Sequence, residues 1–449
     1  MTGDQLWPLL AAFALFCWAV GLAYAHPVWV AGFAIALFAG EATFGAAPGV
    51  EIAGVVVYTR DAVLLAILSA GAARLAMRAT RPAPSGMAGW AWSSLLLLTV
   101  LSLLRGVQSY GANLAGNDFR PAFYLLAGVI GIAAQPSRSS FVRDIVDVWT
   151  GVALLLVAVG MARLVGLTVG LPIDQQPFLN GRPLYASPTL FIAQAALLSF
   201  FGDALQSRWA RFPGLPYLFT IAVLLFRHRT VWAAMVISLV AMWTTLRPEK
   251  PVIGTRVNRH WAGVFISGGV LVFILVAGKG ASLERELTAA TETATSQEST
   301  FMWRIEGWKA LLDRQGADPQ DLVVGIPYGA GYHREVFDAE VDYSPHSWYV
   351  QTVNRVGLLG CAMMVLALLT LSKRGRRGGL LPRNLGALLV LSTAVYGFAY
   401  YPPEVEGILL GLVVLSARHV RLTVHHGEQP ATIPAPRLTP LAGAAPVAR

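Results

Sequence analysis

Long apolar runs are the feature that most constrains this chain. They recur along most of its length in segments of about 17–24 residues, which is enough for a helix to cross a bilayer core of roughly 30 Å. The 449 residues are 55% hydrophobic and 13% charged, whereas a soluble domain carries about 25% charged residues. Helices satisfy all their backbone hydrogen bonds within lipid, and the alternation typical of a membrane β-barrel is absent. The sequence therefore predicts an all-α, polytopic membrane helical bundle of about 12–13 spans.

The predicted spans are separated by one long polar segment. Residues 1–278 are predicted to form an N-terminal transmembrane bundle, and 279–345 a large extramembrane loop with short helices. Residues 346–420 would return to the membrane, and 421–449, rich in Pro and Ala, are predicted to be a disordered cytoplasmic tail. The predicted spans are 6–24, 28–46, 55–77, 90–106, 120–135, 146–168, 188–204, 212–226, 230–246, 261–278, 347–371, 384–400 and 405–418.

The net charge of +9 indicates how the chain is oriented in the membrane, and it does not indicate nucleic-acid binding. The basic residues fall in short connections, after spans three and eleven and before spans six, eight and ten. All these connections can lie in the cytoplasm at once, as the positive-inside rule expects. The polar loop then faces the other side, and span parity predicts an outside N-terminus. Neither Cys17 nor Cys361, both within apolar runs, has disulfide or metal-ligand spacing.

The polar loop contains one amphipathic helix pattern, in which Met302, Ile305, Trp308 and Leu312 recur at spacings of three and four. We expect this helix to lie on the membrane surface, with Arg304 turned toward a cavity. A glycine-rich turn, 325–331, follows it and lets backbone approach a ligand. The turn is weak evidence for a phosphate-binding loop, because no Lys-Ser/Thr pair follows it.

Three residues are the candidates for catalysis. His346 precedes the apolar run 347–371, where it either caps the helix or transfers a proton near neutral pH. Arg304 and Arg229 would face the same side, and arginine binds phosphate through two parallel hydrogen bonds without losing its charge. Arg227 and Arg182 are further anion contacts or else ordinary interfacial and loop arginines. The set suits transfer from a phosphate-activated donor to a hydroxyl.

Acidic residues provide weaker alternatives. Asp338, Glu340 and Asp342 alternate before His346 and could bind a divalent cation, but a solvated acidic face is favoured, and we predict neither a metal nor a cofactor. Glu41 and Asp61, within early spans, mark either an ion path or hydrogen bonding between helices to an arginine such as Arg60.

Four motifs resemble the superfamily of bacterial O-antigen ligases and O-antigen polymerases. They are an arginine opening a span (His228-Arg229-Thr230-Val231-Trp232), a loop arginine among aromatics (Phe301 to Trp308), the glycine-rich turn, and a histidine heading a span (His346-Ser347-Trp348-Tyr349) that continues to Val356-Gly357-Leu358-Leu359-Gly360. They cover about 215–370. The position after the histidine is often asparagine in the family and is Ser347 here.

The resemblance implies a GT-C-like fold in the bacterial inner membrane, with a periplasmic loop and a metal-independent active site. The donor would be a glycan on undecaprenyl pyrophosphate, held by Arg229 and Arg304, while His346 activates the acceptor hydroxyl. Tyr328, Gly329 and Tyr349, within these motifs, are further predicted substrate contacts. A lipid A-core sugar, the next lipid-linked repeat and a protein are all possible acceptors, and the sequence does not choose among them.

Two other classes of protein compete with this interpretation. A transporter or flippase of lipid-linked oligosaccharides would place charges at the bilayer midplane and often shows internal repeats. A structural subunit of an export complex would not need the arginines and histidine to converge. The candidate residues concentrate at one surface beside the large loop, which favours surface chemistry.

Overall fold

The computed structural model describes residues 3–45, 48–52, 55–77, 87–167, 169, 182–245, 300–337 and 339–425, and this part of the chain is mostly helical. The predicted span 261–278 and most of the predicted tail lie outside the described residues. Fifteen described helices, α1 to α15 in chain order, are Gly3–Ala25, Pro27–Phe44, Thr59–Met77, Met87–Tyr110, Ala112–Ala133, Ser139–Leu164, Ala186–Phe200, Gly202–Leu205, Leu215–Leu225, Arg229–Thr245, Thr300–Gly316, Pro319–Val324, Trp348–Gly375, Leu385–Gly397 and Glu406–His425. Two antiparallel hairpins complete it, β1–β2 (Gly49–Ile52, Val55–Tyr58) and β3–β4 (Arg334–Val336, Ala339–Val341).

Each predicted span within the described residues overlaps a helix, and the predicted ends differ from the helix ends by at most eight residues. The one difference in type is the start of 55–77, where four residues form strand β2. By length and composition, four of the described helices could cross a membrane, namely Pro27–Phe44, Gly89–Tyr110, Ser139–Leu164 and Trp348–Gly375. Five shorter helices are also apolar. The expectation of a polytopic helical bundle is therefore met in its coarse form.

Helix α5 packs against α3, α4 and α15. It approaches α15 closely where Gly128 meets Gly407, and a Cβ on Gly128 would come within 2.7 Å of the backbone of Gly407. Small residues at such crossings let helix backbones come together in lipid. The C-terminal helices therefore pack among the N-terminal ones.

Helix α13 begins two residues after His346. The side chain of Ser347 caps it by accepting a hydrogen bond from Val350 N–H at 3.4 Å, an interaction that satisfies a free N–H of the first turn. The helix is kinked at Gly357 (φ 72°), where its backbone meets Val323 of α12 too closely for a side chain. Lys373 and Arg374 occupy its last turn, at the end away from His346.

Helices α7 and α14 pack side by side in opposite directions, which defines one end of the bundle. Ser187, in the first turn of α7, is 3.1 Å from the hydroxyl of Tyr396 in the last turn of α14. Deeper in the bundle, the amide of Gln194 donates to Ser392 at 3.3 Å. The end that contains Ser187 and Tyr396 is called the site end below.

The loop segment, 300–337 and 339–345, covers the site end and corrects one detail of the predicted amphipathic helix. Trp308 and Leu311 of α11 are buried, at 9% and 1% exposure, but Leu312 is 37% exposed. The reason is that α11 packs against the β3–β4 hairpin and the head of α13. Gln315, also fully buried, donates to Val353 O of α13 at 2.7 Å.

The acidic residues of the early helices pair with arginines. Arg60 Nη1 lies 2.6 Å from Glu41 and 2.9 Å from Glu404, which confirms the interpretation of Glu41 as a partner of Arg60. Asp61 instead pairs with Arg120 at 3.3 Å and accepts a hydrogen bond from Tyr124.

Candidate functional site

His346 lies at the turn between the loop segment and α13. Its backbone is left-handed (φ 55°), a conformation that is uncommon for a residue with a side chain and that is maintained only when the surroundings hold it. The imidazole is exposed to solvent, and its ring centre is 5.6 Å from that of Tyr343. Ser347 performs the capping of the helix, which leaves the His346 side chain available for another role.

Arg304 extends from α11 toward the connection that follows α14. Its Nη1 donates to Ala399 O at 3.2 Å, and its Nη2 is 3.4 Å from the hydroxyl of Tyr400. The guanidinium also lies over the Tyr400 ring, 4.7 Å from its centre. Within the described chain, no carboxylate lies within ion-pair distance of Arg304. Among the described residues, its positive charge is therefore held in place but not neutralised.

The connection that holds Arg304 is itself anchored. Glu404 lies a few residues after Tyr400 and pairs with Arg60 at 2.9 Å. On the other side, the Tyr400 ring stacks on Tyr396 with 5.2 Å between ring centres. The N-terminal helices thus fix the acceptor groups that orient Arg304.

Arg334 is a second positive charge that acts on His346, and the sequence analysis did not identify it. It opens strand β3, is only 6% exposed, and donates through Nη1 to Tyr332 O at 2.9 Å and Tyr343 O at 2.8 Å. Partial burial, followed by the charges of Arg304 and Arg334, lowers the pKa of His346. A lowered pKa favours the neutral imidazole, the form that can accept a proton.

An aromatic pair lies beside His346. Trp303 and Tyr343 stack with their ring centres 5.7 Å apart and their planes at 17°. Tyr343 is 48% exposed and Trp303 is half-buried. The pair joins α11 to the connection between β4 and α13, so it links the element that carries Arg304 to the one that carries His346.

The arginines near the start of α10 lie at the same end of the bundle. His228 Nε2 is 2.7 Å from Leu184 O, just before α7, whose Ser187 reaches Tyr396. Arg229 is exposed in the first turn of α10. No hydrogen bond or ion pair joins it to His346 or Arg304 in the part of the chain that the structure describes. The structure therefore brings Arg304 and His346 together and leaves Arg229 at the same end without direct contact.

Arg182 and Arg227 flank His228. The charge of Arg182 reaches the imidazole, and burial, together with that charge, lowers the pKa of His228 to about 4. Arg227 is half-buried with a left-handed backbone (φ 63°), and burial lowers its pKa. Both arginines lie at the site end, and their role as substrate contacts stays a prediction.

The glycine-rich turn surrounds a different arginine, Arg355 of α13. Arg355 is fully buried, pairs with Asp118 at 2.7 Å, and donates to Gly331 O at 2.8 Å and Pro327 O at 3.3 Å. Its guanidinium lies 4.0 Å from the centre of the Tyr332 ring. The turn therefore uses its carbonyls to bind a side chain of the protein.

Two predicted substrate contacts belong to this buried cluster. Tyr328 is 3% exposed and packs edge-on against Phe119, with 5.4 Å between ring centres. Gly329, in a left-handed conformation (φ 94°), donates its N–H to Asp118 at 2.9 Å. Tyr349 is half-buried, and its hydroxyl donates to Ala394 O of α14 at 2.9 Å. All three polar groups already have partners or are buried within the protein.

Within the described chain, no group of three His, Cys, Asp or Glu side chains is placed to hold a metal ion. Asp342 accepts a hydrogen bond from Tyr332 N–H at 2.9 Å, and Asp338 lies outside the described residues. Protein-family models and curated proteins give no match to this chain.

Proposed function

We propose that the chain is a membrane glycosyltransferase that moves a glycan from a polyprenyl-pyrophosphate carrier to a hydroxyl acceptor. One observation carries the proposal: an exposed histidine, whose pKa is lowered by partial burial and by the charges of Arg304 and Arg334, lies near an arginine that has no carboxylate partner among the described residues. A histidine of this kind accepts a proton, and an arginine of this kind binds an anion.

The transfer step uses both groups. His346 takes the proton of the acceptor hydroxyl as its oxygen forms a bond to the anomeric carbon of the donor sugar. The bond from that carbon to the pyrophosphate oxygen breaks, and the electron pair leaves with the pyrophosphate. Arg304 stabilises the negative charge that develops there. The proton on His346 is then lost to water.

The motif resemblance supports an undecaprenyl-pyrophosphate-linked glycan as donor, and a lipid A-core sugar or a lipid-linked glycan as acceptor. Arg229, at the same end of the bundle, would contribute a second positive charge to the pyrophosphate. Lys373 and Arg374 at the other end of α13 support a periplasmic site in the inner membrane, because basic residues favour the cytoplasmic side.

The test is a transfer assay with purified protein and a defined undecaprenyl-pyrophosphate-linked repeat, with and without a lipid A-core acceptor. Wild type should transfer the glycan, and His346→Ala should lose transfer while keeping its thermal stability in detergent. A product ladder without the second acceptor would identify a polymerase. Full transfer by a correctly folded His346→Ala variant would exclude the assigned mechanism.

A flippase of lipid-linked oligosaccharides is the second candidate, and one buried cluster favours it. Glu406 is fully buried in α15 and accepts hydrogen bonds from Gln194, at 2.6 Å, and from Thr393. Ionisable residues within membrane helices often mark transport paths. Movement of a labelled lipid-linked sugar across proteoliposomes, lost in Glu406→Gln but retained in His346→Ala, would support transport instead.

A further inference from the structure

We propose that the stacked pair Trp303–Tyr343 is the binding platform for the sugar ring of the acceptor. The acceptor hydroxyl that reaches His346 would then belong to a pyranose, and not to a protein side chain. This inference rests on the proposed function, whose sugar acceptors it favours over a protein acceptor, and it adds two residues that bind the sugar.

The position of the pair carries the first step. Tyr343 is three residues before His346, and its ring centre is 5.6 Å from that of His346. Trp303 precedes Arg304 in α11 and stacks on Tyr343. A molecule in contact with this pair would therefore lie next to both the proposed base and the proposed anion contact.

The exposure of the pair carries the second step. Tyr343 keeps 48% of its surface exposed although its ring centre is only 5.6 Å from that of His346. Its hydroxyl makes no hydrogen bond to any of the described residues. Aromatic side chains with a polar tip are suited to sites where one part of the ligand is apolar and another is hydrated.

Arg334 holds the Tyr343 side of the pair in place. The Arg334 guanidinium lies 5.5 Å from the centre of the Tyr343 ring and donates to the Tyr343 carbonyl at 2.8 Å. Gly307 of α11 allows this arrangement, since a Cβ there would come within 2.9 Å of Arg334 Nε. A platform that is ordered before binding loses less conformational entropy when the ligand arrives.

The chemistry of a pyranose matches this surface. One face of the ring presents C–H groups that pack on an aromatic plane, while its hydroxyls accept hydrogen bonds from donors at the edge, such as the tyrosine hydroxyl. A serine or threonine side chain has no such apolar face. The stacked rings would therefore add affinity for a sugar acceptor that they would not add for a peptide.

The experiment compares leucine and phenylalanine at both positions in the full chain. Transfer kinetics are measured with a fixed lipid-linked donor while the sugar acceptor is varied. Trp303→Leu and Tyr343→Leu should each raise the acceptor KM about tenfold and leave the donor KM unchanged. Trp303→Phe and Tyr343→Phe keep an aromatic face and should remain within about threefold of wild type.

A second measurement does not depend on transfer. Saturation-transfer difference NMR with a panel of methyl pyranosides should show ring C–H contacts in wild type, and these should be lost in Trp303→Leu. Unchanged acceptor KM in both folded leucine variants, or transfer to a serine peptide in preference to sugars, would overturn the platform while leaving glycosyl transfer intact. No transfer by wild type, with pyranoside contacts that depend on Trp303, would instead overturn the proposed function and keep the binding site. If Tyr343→Leu unfolds, Trp303→Leu decides alone.

Discussion

Arg304 and Arg355 are two arginines with similar neighbours and different chemistry. Each guanidinium lies over a tyrosine ring, at 4.7 Å for Arg304 and 4.0 Å for Arg355, and each donates to backbone carbonyls. The difference is a carboxylate, because Asp118 lies 2.7 Å from Arg355, which is fully buried. Arg304 is only half-buried and has no such partner within the described chain.

The comparison separates a structural arginine from one that can bind a ligand. A buried charge must be paired and hydrogen-bonded to be tolerated, and Arg355 meets this condition with groups of the protein alone. Arg304 is oriented by neutral acceptors, so its charge can still attract an anion. We therefore expect substitutions of Arg355 to affect stability and those of Arg304 to affect transfer.

The largest expected effect is that of Arg304→Ala on transfer. In phosphoryl transfer an arginine that stabilises the developing charge contributes roughly 10³–10⁵-fold to kcat, and we expect a loss of this order here. Arg304→Lys, which keeps the charge but loses the paired donors, should recover part of it. The thermal midpoint in detergent should change little for both. An Arg304→Ala variant that unfolds at a much lower temperature would show that this arginine is structural as well.

The Arg355–Asp118 pair should show the opposite behaviour. Arg355→Met leaves Asp118 as an uncompensated charge and should lower the free energy of unfolding by about 3–5 kcal/mol. The double variant Arg355→Met/Asp118→Leu, which removes both charges, should recover much of the loss. The free energy is measured by reversible unfolding in detergent or bicelles. A folded Arg355→Met with normal stability and no transfer would remove the distinction between the two arginines.

The two histidines extend the comparison from charge to protonation. His228 is buried with a folded pKa of about 4, whereas the unfolded value is near 6.5. The unfolded chain therefore binds a proton first as the pH falls, and stability is lost from pH 6.5 toward 4. Between pH 7 and 5.5 the loss of stability from this group is about 1.2 kcal/mol. His228→Asn, which keeps a donor for Leu184 O, should lose less stability over that interval than wild type.

The smallest expected effect is a shift in the pH dependence of transfer. Proton acceptance requires neutral His346, so activity rises with pH through its pKa, which lies below the usual value near 6.5. Arg334→Gln removes a nearby positive charge and should move this rise to higher pH, while Arg334→Lys, which keeps the charge, should move it less. The measurement is the profile of kcat/KM against pH. No difference between the two variants would show that the charge of Arg334 does not act on His346.

The sequence predicted the helices well, because a membrane span is encoded locally by its length and apolarity. The one correction, in α11, arises because packing between distant segments and not the local pattern decides which leucine is buried. The apolar spacing of Trp308 and Leu312 fits a helix resting on a flat surface, but α11 packs against a hairpin and a helix, so Leu311 is buried instead.

Pairing between distant segments was harder to predict. Arg355 and Asp118 are far apart in the chain, and no local pattern indicates that the glycine-rich turn would bind an arginine of the protein. Arg334 and Tyr343 gave no signal either, because single polar residues in a short hairpin have no distinctive spacing.

The sequence alone determined that the chain is a mostly helical protein with helices apolar and long enough for a membrane. It also predicted that the polar candidates face the same side as the large loop. Only the tertiary structure decided that Asp118 neutralises Arg355 while Arg304 has no carboxylate partner in the described part of the chain, and that an aromatic pair lies beside the histidine. The physical reason is the sequence distance over which each property is set. The length and apolarity of a helix are properties of one segment, whereas the pairing of a charge depends on which distant group the fold brings within a few ångströms.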